Sequence, residues 1–332
     1  MNEIPGTIHF NFRLMIEELL KRGIKIEYIE GSDIVEAEYD GHVEIIANAD
    51  TSLVPLNYAD LISDKYLLKR YLQKKDVPVC EGRMFDHNEL DLALFYAKSK
   101  LEFPVVIKPV AGSCGIGVFA NIKTDEDFML FFKEAASTGQ GKLLVEKYFA
   151  QADDYRFFTT VTGYQAIVKR TPPCVVGDGE STIHELVQAE NNRRRYPRRT
   201  CEGEIWLQDI EGARMLSQSG YHYIDVLTEG KILQLRNNSN VYFGGQCEDV
   251  TDSVHPSYLK LTSEILQLFP QLKYAGIDLL ARDITKPAQR DNYVVSEIEY
   301  RVGFSLHTHP GKGIPRNILA PIVDMLFPET KN

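Results

Sequence analysis

The stretch YAGIDLLARDITKPAQRDNYVVSEIEYRVGF, residues 274–304, reads as two strands joined by the turn KPAQRDN. Side chains two apart on a strand share a face, so Glu297 and Glu299 stand side by side. Like charges that close repel, and neither is readily buried alone. Asp278, in AGIDLLA, lies among apolar residues on the neighbouring strand, where an unpaired carboxylate is costly. Asp278, Glu297 and Glu299 together suit Mg²⁺, with Mn²⁺ as a substitute. Such a hard cation takes oxygen ligands and completes its shell with substrate phosphates. An edge strand with solvated glutamates is the blander alternative, and the hydrophobic flanks weigh against it.

Working outward, strands and helices alternate irregularly, with several strands in succession, which implies an α/β to α+β fold. Residues 9–22 have helical apolar spacing and end at Gly23; KIEYIEG and HVEIIANA then read as strands. Residues 60–75 read as one helix with Ser63 or Asp64 as N-cap. FPVVIKPV, KLLVEKYF, DDYRFFTTVT and YQAIVKRTPP read as strands, and YLKLTSEILQLFPQL and PRNILAPIVDMLF as helices. The chain has 332 residues, 44% hydrophobic and 25% charged, with net charge -10, so general nucleic-acid binding is not expected. No run reaches the roughly 18 apolar residues of a membrane span. The start, MNEIPGTIHFNF, lacks the pattern of a secretory signal, so a cytoplasmic protein is expected. Its cysteines are scattered and odd in number, and read as reduced thiols.

Three further groups carry chemistry. Lys108 ends a strand that runs into Gly112-Ser113-x-Gly115-x-Gly117; glycines let backbone N–H groups approach phosphate oxygens, and lysine neutralises them. Glu146-Lys147-Tyr148-Phe149 followed by Asp154-Tyr155-Arg156 suits a purine edge and ribose hydroxyls. Arg236, Asn240, Gly244 and Gly245 combine a guanidinium fork with backbone donors. Each has a plain structural alternative: a glycine hairpin, a surface strand and a long loop. Arginines 193, 194, 195, 198 and 199 read as a solvated helix end with some attraction for an acidic partner. His307 and His309 read as packing or loop residues, and Cys114 as filler.

In this order the pieces resemble the ATP-grasp superfamily. Within it, they look like the ATP-grasp portions of cyanophycin synthetase and of bifunctional glutathione synthetases. ISDKYLLKRYLQKKDVPVCEG, LLVEKYFAQADDYRFF, LQLRNNSNVYFGGQCEDVTDSVHP and GIDLLARDI with SEIEYRVGFSLHTHPG carry the likeness. It implies an ATP-grasp fold: an N-terminal domain over 1–62 and two ATP-clasping subdomains over 63–145 and 146–332. It implies a carboxylate–amine ligase working through an acyl phosphate, with ATP and Mg²⁺, on small-molecule substrates, and a homodimer as one assembly.

By that resemblance Lys69 and Lys108 contact ATP phosphates and Ser113, Gly115 and Gly117 fold over them. Glu146, Lys147 and Phe149 form the adenine hinge, and Asp154 meets the ribose. Asp278, Glu297 and Glu299 hold the metal. Lys108, Arg236 and Asn240 serve the chemistry, while Arg156, Arg170, Gly244, Gly245 and Ser305 meet substrate. Glu299 stands where asparagine is usual, Val302 where proline is, and Ser305 where arginine is. Tyr242 and Phe243 replace small hydroxyl residues. These departures leave a catalytically degenerate nucleotide-binding module as the alternative.

Overall fold

A computed structural model of the chain describes residues 9–48, 50–139, 141–195 and 200–331. Arg198 and Arg199 lie outside the described residues. Helix α1 (Phe10–Lys21) buries Phe12, Met15, Ile16 and Leu19, one stripe at helical spacing, and the chain leaves it through Gly23 at φ 76°. Strands β1 (Lys25–Tyr28), β2 (Ile34–Tyr39) and β3 (His42–Ala47) form an antiparallel sheet. The helix expected over 60–75 is two helices, α2 (Leu56–Ser63) and α3 (Lys65–Lys74). Asp64 breaks it. Its backbone is extended, and its carboxylate accepts from the N–H groups of Tyr66 (2.9 Å) and Leu67 (2.8 Å), so it caps the second helix.

The next unit comprises β4 (Gly82–Phe85), α4 (Leu90–Tyr96), β5 (Val105–Pro109), β6 (Phe119–Ile122), α5 (Asp125–Ser137) and β7 (Leu143–Lys147). Its sheet runs β4-β7-β5-β6 and buries Val105, Ile107 and Val145 against Phe128 and Phe132 of α5. The glycine-rich loop joins β5 to β6.

The remainder comprises β8 (Asp153–Thr160), β9 (Gln165–Thr171), β10 (Cys174–Val176), α6 (Ile183–Arg195), α7 (Ile210–Gln218), β11 (Ile232–Gln234), β12 (Gln246–Asp249), α8 (Pro256–Gln267), β13 (Tyr274–Ala281), β14 (Tyr293–Glu299), α9 (Ser305–Thr308) and α10 (Leu319–Leu326). A five-stranded sheet, β12-β9-β8-β13-β14, carries α8 on one face through Phe157, Ile277, Tyr258 and Ile265. α10 returns to the N-terminal core, where Ile322, Val323 and Phe327 pack with α1. Strands β10 and β11 pair as a ribbon beside α6 and α7. All pairings between these strands are antiparallel, so the expected class holds in its α+β form.

The described cysteines are all free thiols. Among the described residues no helix is long and apolar enough to cross a membrane.

Candidate functional site

A cavity of about 380 Å³ is lined by residues of both larger sheets. From the four-stranded sheet come Lys108 of β5 and Glu146 of β7; from the five-stranded sheet come Arg156, Arg170, Asp278, Glu297 and Glu299. The glycine loop and the segment Asn237–Asn240 line it too. The loop approaches that segment closely: a Cβ on Gly115, which has φ 73°, would stand 3.0 Å from the Asn240 Cβ. A side chain there is disfavoured both by space and by the left-handed backbone.

Register explains the charged wall. Asp278 lies directly across from Arg156 on one side and from Glu297 on the other, while Arg170 lies across from Asp154. Arg156 grips Asp278 through Nε and through Nη2 at 2.9 Å; Arg170 Nη2 reaches Asp278 at 2.8 Å and Asp154 at 2.6 Å. Burial opposes ionisation of Asp278, but the two guanidiniums outweigh it and hold its pKa below the ordinary value. Glu146 is buried between Lys69, a shorter contact, and Lys108 at 2.8 Å. Burial again opposes its charge; Lys108 and Lys69 prevail, and its pKa falls to about 2. Lys108 also donates to Glu297 at 3.1 Å. Burial works against the Lys108 charge, yet the two glutamates raise its pKa. Glu299 differs: the nearest basic group is Arg156 Nη2 at 3.8 Å. Burial, helped by Glu297 and Asp278, pushes its pKa up to about 7 despite Arg156.

The cavity brings together Lys108, Ser113, Gly115, Glu146, Lys147, Phe149, Asp154, Asn240, Arg156, Arg170, Asp278, Glu297 and Glu299. Six expected residues stand outside it. Lys69 is buried behind Glu146 and donates to the Cys80 carbonyl at 2.7 Å. A Cβ on Gly117 would meet Pro109. Arg236 is turned into the protein, paired with Asp209 (2.7 Å) and Glu211 (2.6 Å) and lying over the Phe243 ring at 4.6 Å. Gly244 and Gly245 serve packing, since Cβ atoms there would strike Ile205 and the Ser239 carbonyl. The Ser305 N–H donates to Asn11 Oδ1 at 2.8 Å.

Sequence reasoning passed over Lys65, Asp153 and Ser239. Lys65, the lysine of the SDK triplet, lines the cavity and donates to the Gly112 carbonyl at 2.7 Å. Its signal was present, one helical turn before Lys69. Asp153 and Ser239 also line the cavity, and Ser239 donates to Asp154. The basic cluster is internally paired where it is described: Arg193 and Arg194 with Glu190, and Arg195 with Glu204. His307 is fully buried beside Phe158, with its pKa lowered to about 3 chiefly by burial, as a packing residue.

Among the described residues no group of three or more His, Cys, Asp or Glu is arranged to hold a metal. Both Asp278 oxygens are engaged by arginine. The Glu297–Glu299 pair nevertheless offers carboxylate oxygens of the kind Mg²⁺ takes. The donor set therefore fits a divalent cation through these two glutamates.

Fold and cavity define an ATP-grasp architecture. Residues 62–169 match the family described as the RimK-like ATP-grasp domain, so the chain carries that domain. It is homologous to cyanophycin synthetase of Trichormus variabilis, at 30% identity over 323 residues, covering 96% of this chain and 35% of that protein. It is likewise homologous to the glutathione biosynthesis bifunctional protein GshAB of Streptococcus agalactiae, at 30% identity over 336 residues, covering 97% and 43%. The crystal structure of a bifunctional glutathione synthetase from Pasteurella multocida matches with TM-score 0.66 and 27% identity, covering 97% of this chain and 44% of that one. The resemblance read from the sequence is thus borne out, and the chain spans less than half the length of these relatives.

Proposed function

We propose that this chain is an ATP-dependent ligase that joins a small carboxylate to an amine. The observation that carries this reading is the convergence of glycine loop, Lys108, paired arginines and the Glu297–Glu299 pair in one cavity. The names of the relatives, synthetases of cyanophycin and glutathione, support it. In the first step a carboxylate oxygen takes the γ-phosphoryl group and ADP leaves. In the second the amine attacks the acyl carbon, phosphate departs with the C–O electron pair, and the amine proton goes to solvent. The first step creates a leaving group that a bare carboxylate lacks, and its charge must be neutralised. A divalent cation at Glu297 and Glu299 would neutralise part of the phosphate charge. Lys108 and the N–H groups around Ser113 and Gly115 hold the phosphates, Tyr148 and Phe149 flank the base, and Asn240 faces the acyl side. In this reading residues 1–62, 63–145 and 146–332 act as a leading domain and two clasping units. A cytoplasmic homodimer acting on free small molecules is the accompanying expectation.

The test is incubation with ATP, Mg²⁺ and pooled amino acids, with ADP, phosphate and amide products followed by mass spectrometry. Equimolar ADP and amide are expected; no ADP release across broad pools of acids and amines would sink the reading. A second reading, nucleotide binding without chemistry, draws on Arg236, whose guanidinium is spent on Asp209 and Glu211. ATP bound but never consumed would favour it.

A further inference from the structure

Helix α7 lies between α6 and β11 in chain order, yet it is seated on the four-stranded unit. Its residues Ile210, Arg214 and Gln218 recur every four positions and so share one face. Ile210 packs against the core of the four-stranded unit. Arg214 Nη2 and Gln218 Nε2 both reach Asp127, in the first turn of α5, at 2.5 Å and 2.9 Å. Asp127 is only 3% exposed, so its charge is answered by these two side chains and by the N-terminal turn of α5. A second face of α7 holds the other side of the cavity. The Asn237 N–H donates to Glu211 Oε1 at 3.1 Å, and Asn237 Nδ2 donates to Met215 Sδ at 3.2 Å. Asn237 opens the segment Asn237–Asn240, which lines the cavity against the glycine loop. Within it Asn238 Oδ1 accepts from the Asn240 N–H at 2.6 Å, while Asn238 Nδ2 would stand 3.0 Å from a Cβ on Gly115. One helix therefore grips both the unit that carries the glycine loop and the segment that meets the loop. None of the gripping residues on α7, nor Asp127, lines the cavity.

We infer that α7 is a strut, with Asp127 and Arg214 as positioning residues that seat Asn238 against the glycine loop and so set how closely the loop covers a nucleotide's phosphates. The inference rests on the ligase reading and deepens it. Ligand-free, the segment 237–240 is neutral and could settle at several distances from the loop; the ion pair on the far face of α7 selects one.

The test uses the whole chain and two probes, the non-hydrolysable ATP analogue AMP-PNP and AMP, which lacks the outer phosphates. Arg214→Met should weaken AMP-PNP binding about 3- to 30-fold, the range of coupling carried through a packed network. AMP affinity should stay within about threefold, and Arg214→Lys, which keeps the charge, should restore most of the AMP-PNP affinity. In an Asn238→Ala background Arg214→Met should cost less than about twofold more, because the contact through which it acts is already gone. Arg214 lies partly in solvent, and its loss leaves Asp127 with Gln218, so this variant is expected to fold; Asp127→Asn, which removes the buried charge itself, should reproduce its effect. AMP-PNP binding indifferent to Arg214→Met would overturn the strut. So would AMP weakened as much as AMP-PNP, or an Arg214→Met effect undiminished in Asn238→Ala. Wild type that neither binds AMP-PNP nor consumes ATP would overturn the ligase reading and the strut with it. Wild type that binds AMP-PNP, with Arg214→Met indifferent, overturns the strut alone.

Discussion

The two walls of the cavity are built on opposite terms. The sheet wall, formed by β5, β7, β8, β9, β13 and β14, carries buried charges that are nearly all matched: Lys108 with Glu146 and Glu297, Arg156 with Asp278, Arg170 with Asp154. The loop wall, residues 111–118 and 237–240, is neutral, offering backbone groups, amides and the hydroxyls of Ser113 and Ser239. Strands fix side chains in register, so charges placed on them can be compensated by a neighbour across the ladder. Loops fix less, and a buried charge there would lack a partner, whereas neutral donors can adapt to a ligand. Damage to the sheet wall should therefore cost stability and function together, and damage to the loop wall mainly function.

The strongest test is Lys108→Met. It leaves Glu146 with Lys69 alone and strips Glu297 of its hydrogen-bonded partner. Breaking a buried ion pair costs about 3–5 kcal/mol, so the unfolding midpoint in urea should fall markedly and ATP turnover should vanish. The pH dependence of the wild type follows from the same pair. The Glu146 pKa is about 2 in the folded chain against an ordinary 4.5, so its contribution is complete above pH 4.5 and is lost as pH falls towards 2. Urea titrations across that window should show wild-type stability falling, with a shallower fall in Glu146→Gln. An equally steep fall in the variant would remove Glu146 as its source.

Arg236→Met asks whether an expected loop residue behaves as part of the sheet wall's economy. Its partners Asp209 and Glu211 would lose their cation, and Glu211 is buried. A loss of about 3 kcal/mol is expected, with AMP-PNP affinity retained in the folded fraction. Loss of turnover at unchanged stability would instead return Arg236 to the chemistry. A smaller effect is expected of Gly115→Ala in the loop wall. The left-handed backbone and the nearby Asn240 oppose a Cβ, at about 1–2 kcal/mol, and the KM for ATP should rise more than the unfolding midpoint falls.

The same division explains what the sequence disclosed. The charged residues of the sheet wall were legible because strand alternation fixes their faces: Lys108, Asp278, Glu297 and Glu299 all line the cavity. Their mutual pairing was not legible, since register across β8, β13 and β14 is a tertiary fact. Arg236 was misplaced because a polar run after a short strand does not say which way its guanidinium turns. The carboxylates that claim it, Asp209 and Glu211, open α7, a helix the periodicity did not reveal. Asp64 was legible as an N-cap and does cap α3; what the apolar spacing hid was that the turns before it form a separate helix, α2.

The smallest expected effect bears on the basic cluster. Arg193 is largely exposed and pairs with Glu190 one turn earlier on the same helix. An exposed pair of this kind contributes about 0.3–0.5 kcal/mol, so Arg193→Ala should leave unfolding by urea almost unchanged. It should also leave the KM for any carboxylate substrate unchanged, because the guanidinium's charge is already answered by Glu190 and by Glu202 at 3.9 Å and lies off the cavity. A KM that rises with the charge of the acid, and that is insensitive to salt as a short-range contact would be, would show instead that the cluster reaches the substrate and that the site extends beyond its two walls.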